Sequence, residues 1–246
     1  MKSTAYSEMA SVENHHWWFV ARRAIIKSQL KKLNLGKNCN VLEVGVGTGG
    51  NLELLSNFGC VKGFDMSLEA LTFARNKTQN RFEITQGHCP EKIPSFNQTF
   101  DLICMFDVLE HVEKDTETLK ALKNILKKNG KLIVTVPAYN WLWSEHDNHL
   151  HHKRRYTRKR LEVDAKSAGW DVESSTYFNT ILFPIIAIIR RSERIFKKGK
   201  FANADLPHKY INKILTFVFR SEKYLLKLIR LPFGVSIYAC LTPNAE

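Results

Sequence analysis

At 246 residues the chain is long enough to bury a sizeable core as one large domain, and its 44% hydrophobic and 25% charged residues are typical of a soluble globular protein. The formal net charge of +13 favours an anionic partner, either nucleic acid, an acidic membrane surface or an acidic substrate, although a solvated basic surface would give the same balance. The longest apolar stretch, residues 181–189, contains Pro184 and is about half the length that a membrane-spanning helix needs.

The N-terminal segment lacks the pattern of a signal peptide, because histidines and arginines interrupt its first apolar stretch. Five scattered cysteines form no C-x-x-C pair. We interpret those in or beside predicted strands (Cys39, Cys60, Cys104 and Cys240) as small buried hydrophobic residues in a reducing compartment. We therefore expect a cytoplasmic protein.

Residues 1–12 are polar and are predicted to be loose. From Val12 to Leu33 apolar and basic residues recur at helical spacing, which predicts an amphipathic helix that ends at Gly36. A short buried strand over residues 41–44 then runs into a glycine-rich turn.

In this turn the pattern Gly45-x-Gly47-x-x-Gly50 is followed from Leu52 by apolar residues at helical spacing. Strand, glycine turn and helix N-terminus together suit a nucleotide-like ligand. The spacing to Asp65 also matches the dinucleotide fingerprint, which is a weak signal by itself. Glu43, two residues before the first glycine, can order the turn or hold a cationic amine.

The remaining elements alternate in type. Strands are predicted over residues 60–65, 81–86, 100–106, 131–136, 170–177 and 235–241. Helices are predicted from the Ser67 N-cap to residue 74, over 116–128 with a stop at Asn129-Gly130, and over 157–168. This alternation predicts an α/β fold with a doubly wound, mainly parallel sheet.

The segment 107–112, D-V-L-E-H-V, follows the fourth predicted strand. With the E-x-G-x-G-x-G turn and Asp65, it resembles the class I S-adenosylmethionine-dependent methyltransferases over about residues 13–178. The resemblance implies a Rossmann-like, seven-stranded sheet with a C-terminal antiparallel hairpin, plus extra helices. It divides the chain into an N-terminal lid helix (1–36), a core (37–178 and 233–246) and a helical insertion (179–232).

The resemblance implies S-adenosylmethionine as cofactor and S-adenosylhomocysteine as product. Asp65 would accept hydrogen bonds from the ribose hydroxyls, with Met66 against the adenine. His88 stands where the family often has an aspartate for the adenine amino group, and it is as well explained as a surface residue. The full cofactor set is Arg22, Glu43, Gly45, Gly47, Gly49, Asp65, Met66, His88, Phe106 and Asp107.

Residues 139–156 are rich in aromatic and polar side chains and should border the acceptor. The W…H-D…H-x-R-R-Y-T pattern resembles a methyltransferase subgroup often associated with polysaccharide and lipid modification. We predict His146, and second His151, as a general base for O-methylation. Candidate substrate residues are Trp17, Tyr139, Trp141, Arg154, Arg155 and Tyr156.

Other residues of this region allow a structural as well as a functional interpretation. Arg154 and Arg155 would recognise an anionic substrate or simply anchor the loop to acidic partners. No metal is predicted, because the histidines are irregularly spaced and lack cysteine partners. Glu110 and His111 are interpreted as helix-start and packing residues.

The insertion carries apolar residues from 181 to 189, a basic run (Arg190, Arg191, Arg194, Lys197, Lys198 and Lys200) and a second apolar–basic helix over about 211–231. Such helices suit an anionic membrane surface, which would place the protein peripherally on the inner face of a membrane. A cover helix or homodimer contact is nearly as well supported.

We therefore expect a methyltransferase for a small-molecule, lipid-linked or glycan-type acceptor. The alternatives are an RNA methyltransferase, for which no binding module is recognisable, a non-catalytic adapter, and an NAD-dependent dehydrogenase.

Overall fold

The computed structural model describes residues 3–36, 38–196 and 206–244. Part of the predicted basic run (Lys197, Lys198 and Lys200) lies outside these ranges. The strands are β1 Cys39–Val44, β2 Gly59–Asp65, β3 Glu83–Gln86, β4 Phe100–Phe106, β5 Leu126–Pro137, β6 Trp170–Phe178 and β7 Ser236–Pro243. The helices are α1 Ser3–Val12, α2 Trp17–Leu30, α3 Leu52–Leu55, α4 Leu68–Thr78, α5 Asp115–Lys123, α6 Glu145–His149, α7 Arg158–Ser167, α8 Phe183–Phe196 and α9 Lys209–Leu228.

The seven strands form one sheet in the order β3-β2-β1-β4-β5-β7-β6. The first five are parallel, and β7 lies antiparallel between β5 and β6. The predicted sheet and its terminal hairpin are confirmed. The chain order reverses between β1 and β4, so their carboxyl ends form the edge where doubly wound sheets bind ligands.

Successive residues of the central strands contribute to different hydrophobic clusters, because side chains alternate across a strand. Val41 and Leu102 belong to one cluster, which also contains Ile25 of α2 and Phe219 of α9. Leu42 and Ile103 belong to the other, with side chains from α5 and α7. Two helices that carry candidate functional residues, α2 and α9, thus share one face of the sheet.

Three local predictions are wrong. Residues 3–12 form α1 rather than a loose segment, and a turn over residues 13–16 separates α1 from α2. Asn129-Gly130 does not end a helix but lies within β5. The β4–β5 register shifts there, from Phe100 opposite Leu126 to Leu102 opposite Lys131. The strand absorbs the extra residues as an irregularity in pairing.

Helix starts were predicted better than helix ends. The side chains of Ser67 and Thr157 accept hydrogen bonds from the backbone of the first turns of α4 and α7. Cys39, Cys104 and Cys240 are buried as expected, whereas Cys60 is exposed at the start of β2, which corrects its interpretation as a core residue. None of the described helices combines the length and apolar character that crossing a bilayer requires.

Candidate active site

The glycine turn joins β1 to α3 with three glycines at positive φ, Gly45 (73°), Gly47 (55°) and Gly49 (83°). Side chains are rare in this region of backbone space, and at Gly45 a Cβ would also lie 2.3 Å from Val108 Cγ2. The turn therefore depends on glycine for its conformation and for the close approach of Val108, while the predicted approach to a ligand stays a prediction.

Asp65 ends β2 with its carboxylate directed at the glycine turn. Oδ2 accepts a hydrogen bond from Gly47 N at 2.8 Å, and Oδ1 accepts one from Ser67 N at 2.9 Å. Burial raises the pKa of this carboxyl, while these backbone donors lower it. Each oxygen keeps a second lone pair, so Asp65 can still accept from a ligand's hydroxyls.

Arg22 reaches from α2 across the carboxyl edge of the sheet. Its Nη2 lies 2.6 Å from Asp107 Oδ2 and donates to Thr135 Oγ1 at 3.1 Å. Thr135 in turn donates to Asp107 Oδ1, and the guanidinium lies over the Phe106 ring. Arg22, Phe106 and Asp107, far apart in the sequence, therefore meet at one point.

Glu43 is buried at the end of β1. Oε1 accepts a hydrogen bond from Asn51 Nδ2 at 2.8 Å, but Oε2 has no partner among the described residues. Burial raises the pKa of Glu43 to about 8, against the lowering effects of Asn51 and Arg22. Arg22 Nε is also buried, and no residue in the described part of the chain accepts a hydrogen bond from it. A buried acceptor and a buried donor are thus left for a ligand with its own donors and acceptors.

Helix α1 and the turn after it lie over this region. Met9 Cε is 3.5 Å from where a Cβ on Gly47 would stand, and the Tyr6 side chain is buried near Asp65 and Ser67. Thr48 Oγ1 donates to Glu13 Oε1 at 2.6 Å, and Lys77 forms an ion pair with the same carboxylate. The lid prediction assigned this cover to one helix; the structure divides it between α1, on the glycine turn, and α2, which carries Arg22.

The predicted adenine side is more open. Met66 is 69% exposed, and His88 is partly exposed and pairs through its backbone with Lys92. Neither makes a contact that identifies an adenine site, so both assignments stay predictions.

The loop after β5 is fixed by a buried ion network centred on Asp147. Its carboxylate accepts from Arg155 Nε at 2.7 Å and Nη2 at 2.9 Å, and from Ser144 N at 2.8 Å. His152 Nδ1 is 2.8 Å away, and Arg190 of α8 joins the network at 3.4 Å. The capping box of Ser144 and Asp147 starts α6.

Contacts with Asp147 and with Asp115 correct three substrate assignments. Arg155 is 3% exposed and fully engaged by Asp147 and the carbonyl of Ala138, so it anchors the loop. Tyr156 is buried, and its hydroxyl donates to Asp115. Arg154 pairs with Asp115 at 2.6 Å. The anchoring alternative therefore holds for both arginines in this structure.

An aromatic platform lies beside the loop. Tyr139 stacks on Trp141 and Tyr177, and Phe183 of α8 meets the edges of Tyr139 and Trp141. Trp141 is 47% exposed, so this predicted substrate residue does present a surface. Trp17 instead packs against Trp18 and Phe219, and its backbone N–H donates to Asn212, which places it in the α2–α9 junction.

The two predicted bases differ in setting. His146 is partly buried near Arg190, and desolvation lowers its pKa to about 4. That pKa makes it a weaker base than the free imidazole. His151 is exposed, with a backbone φ of 57°. Their catalytic roles stay predictions.

Sequence reasoning missed Glu13, Thr135 and Asp147. Thr135 is the one polar residue in the apolar run 132–136 of β5, a signal that a buried hydroxyl has a specific partner. Asp147 lies three residues after Ser144, which is capping-box spacing. Glu13 gave no comparable signal, because its partners Thr48 and Lys77 are remote in the sequence.

The glycine turn and the acid that ends β2 agree with the methyltransferases that the sequence resembles. The chain belongs to this family, since a family model described as a methyltransferase domain matches residues 16–175. It is an S-adenosylmethionine-dependent methyltransferase. This sets aside the dehydrogenase and non-catalytic adapter readings.

Among its relatives, the uncharacterized protein MJ0638 of Methanocaldococcus jannaschii is 31% identical over 192 residues, 70% of this chain and 80% of that protein. The ubiquinone biosynthesis O-methyltransferase of Glaesserella parasuis is 29% identical over 107 residues, 39% of this chain and 44% of that enzyme. The chain spans about half the length of several such relatives.

A similar fold occurs in a Haloferax volcanii protein solved in complex with the Trm112 methyltransferase activator. The TM-score is 0.65 and the identity 17%, over 99% of this chain and 95% of that one. At this identity the likeness concerns the fold alone.

Proposed function

We propose that this methyltransferase modifies an oxygen atom of a lipid-linked acceptor, which it meets at an anionic membrane surface. One observation carries the proposal: helices α8 and α9 both expose large apolar side chains, and basic side chains stand among those of α9. The exposed apolar side chains are Ile185, Ile188, Ile211, Ile214, Phe217, Tyr224, Leu225 and Leu228. We call this set, with the exposed Lys209, Lys213, Arg220, Lys227 and Arg230, the basic–apolar face.

The spacing within α9 shows that this face is a helix property rather than scattered exposure. Ile211, Ile214 and Phe217 are exposed at intervals of three residues, and Tyr224 follows two turns after Phe217, with Leu225 and Leu228 beyond it. Phe219, Glu222 and Leu226 are buried on the other side of the helix. Phe217 is 75% exposed and Leu228 is 85% exposed. An amphipathic helix of this kind places apolar side chains among acyl chains and basic ones near anionic headgroups.

The basic–apolar face is fixed to the helix that carries Arg22. Phe219, on the buried side of α9, packs against Trp17 and Trp18 at the start of α2. Asn212 accepts from Trp17 N and donates to the carbonyl of His15, both at 2.8 Å. One turn further along α2, Arg22 reaches Asp107. Membrane contact would therefore hold the site at a fixed distance from the surface.

The charge of the face favours a membrane over a second protein copy. The centres of protein–protein interfaces are depleted in lysine, whereas lysines border these apolar residues throughout α9. An RNA substrate would require phosphate recognition, to which large exposed aliphatic side chains do not contribute.

The site residues then have distinct tasks. When bound, S-adenosylmethionine supplies an electrophilic methyl group. Asp65 and the glycine turn would hold its nucleoside part, while Glu43, Arg22 and Asp107 fit the charged amino and carboxylate groups of its methionine part. The aromatic platform around Tyr139 and Trp141 adjoins α8, so it is the natural surface for an acceptor arriving from the membrane. The name of the O-methyltransferase relative supports an oxygen acceptor.

Vesicle flotation tests the proposal with the full chain. We expect binding to phosphatidylglycerol-containing vesicles at low salt, weaker binding at high salt, and little binding to pure phosphatidylcholine. Phe217→Ser should weaken binding by about tenfold or more, because it removes a large apolar side chain from the interface. Tritium from labelled S-adenosylmethionine should enter the lipid phase of a membrane extract from the source organism.

Val163→Ser is the matched control, since Val163 is also about half exposed but lies on α7, away from the basic–apolar face. It should bind vesicles like the wild type. Absence of binding to anionic vesicles at low salt would refute the membrane proposal. Transfer into RNA but not into lipid would favour the RNA alternative.

A further inference from the structure

We propose that Glu110, His111 and His152 form a binding site for a divalent transition-metal ion such as Zn²⁺. One ligand atom from each of the three side chains lies within 4.8 Å of the other two. Two of the residues follow β4 directly, and the third comes from the loop after α6, so only the fold brings them together.

The Glu110 carboxylate lacks a binding partner within the described part of the chain. It is fully buried, and neither carboxylate oxygen accepts a hydrogen bond from another described residue. A buried carboxylate without donors costs several kcal/mol in general terms, and binding a cation is one of the ways proteins meet that cost. Among the described buried carboxylates with an orphaned oxygen, this is the one that faces two histidines.

One of the two histidines is oriented by an outer partner. Asp147 Oδ1 lies 2.8 Å from His152 Nδ1, which leaves Nε2 as the available nitrogen. The His111 and His152 rings meet edge to face with centroids 4.6 Å apart. Metal-binding histidines characteristically use one nitrogen for such an outer partner and the other for the ion.

The ligand set indicates the kind of ion. Two imidazoles and one carboxylate form the His₂Glu set of zinc enzymes, with a fourth position left for water, and they also suit other first-row divalent ions. With bonds of about 2.0 Å, ligand atoms on a tetrahedral ion lie about 3.3 Å apart. The side chains must therefore draw closer than they stand here, by small rotations about their own bonds.

Metal retention by the full chain tests this inference, using protein purified without a metal-binding tag. After chelator treatment, exposure to Zn²⁺ and dialysis, we expect about one zinc ion per chain by mass spectrometry. Co²⁺ in its place should give the visible absorption of a four-coordinate site. Glu110→Gln and His152→Asn should each reduce retained metal at least about tenfold.

His151→Asn is the matched control, because His151 adjoins His152 but is exposed, and asparagine tolerates its positive φ. It should retain zinc like the wild type. Circular dichroism checks that the variants fold. If His152→Asn does not fold, the test depends on Glu110→Gln. Retention of no zinc by the wild type, or equal retention by wild type and Glu110→Gln, would overturn the site. The measurement contains neither cofactor nor acceptor, so it is independent of the proposed function.

Discussion

Two buried carboxylates at the carboxyl edge of the sheet differ in how many hydrogen bonds they accept. Asp147 accepts two hydrogen bonds from Arg155 and two from Ser144, and it contacts His152. Glu43 accepts one hydrogen bond, from Asn51, and its second oxygen has no partner among the described residues. Burying a polar group without a hydrogen-bond partner costs free energy. We therefore infer that Asp147 stabilises the loop and that Glu43 binds a ligand.

Their ionisation follows the same division. Hydrogen bonds from His152 and Arg155 outweigh the effect of burial and hold the pKa of Asp147 far below its usual range. Burial dominates at Glu43 and raises its pKa to about 8. The two groups are therefore expected to respond differently to replacement by the corresponding amide.

Replacing Asp147 by Asn should give the largest effect. It leaves Arg155 buried without its charge partner, so we expect a loss of about 3–5 kcal/mol in the free energy of unfolding at neutral pH. Because the pKa of Asp147 is lower in the folded than in the unfolded chain, its contribution to stability is complete above the unfolded pKa of about 3.9 and is lost progressively below it. The difference between variant and wild type should therefore shrink as pH falls below about 4. Urea denaturation at several pH values measures both effects.

Glu145→Gln is the control, since Glu145 lies in the same helix but is exposed, and it should change stability by less than about 0.5 kcal/mol. If Asp147→Asn were as stable as this control, the ion network would not be what holds the loop.

Gly45→Ala should give the next largest loss of stability, and it tests the glycine turn beside Glu43. The added Cβ would stand 2.3 Å from Val108 Cγ2 at a φ of 73°. We expect a loss of about 1–3 kcal/mol in stability and weaker S-adenosylmethionine binding by calorimetry. Gly36→Ala is the matched control, because nothing lies within 4 Å of its Cβ position.

A second substitution separates the two causes at Gly45. Adding Val108→Ala removes the clashing methyl groups, so it should restore the steric part of the loss and leave the backbone part. Full stability in Gly45→Ala alone would mean that the turn does not need glycine there.

The glycine turn was predictable because its parts are close in the sequence. Glu43, the glycines and Asp65 fall within 23 residues, and strand–turn–helix geometry places them at one edge whatever the remaining chain does. The alternation of strands and helices similarly predicted the mainly parallel sheet, whereas its terminal hairpin was implied by the resemblance to the methyltransferases.

The acceptor side was less predictable because its polar residues pair with remote partners. Arg155 resembles an anion-binding residue until its partner Asp147 is known, and Tyr156 looks accessible until its hydroxyl is found on Asp115. Likewise, the loop histidines alone gave no metal-binding pattern, whereas the fold sets His152 against Glu110 and His111. The polarity of α1 hid its docking on the glycine turn, since that contact depends on a few side chains such as Met9 and Glu13.

Glu43→Gln should cause the smallest loss of stability of the three substitutions, and it sharpens the comparison most. With a pKa of about 8, Glu43 is largely protonated at pH 7, and glutamine keeps an acceptor for Asn51. We expect the two proteins to differ by less than about 1 kcal/mol near pH 4, where the Glu43 carboxyl is mostly protonated in the folded and in the unfolded chain. As the pH rises from about 4.3 to 8, the unfolded wild-type chain loses this proton while the folded one keeps it, so the wild type loses stability over this range. The variant should therefore become progressively the more stable protein between about pH 4.3 and 8, with the difference constant above pH 8. Binding of S-adenosylmethionine should nevertheless fall at least about tenfold, because an amide cannot carry the negative charge that the cofactor's amino group would stabilise. Unchanged affinity beside unchanged stability would show that the bare oxygen of Glu43 serves neither the fold nor the ligand.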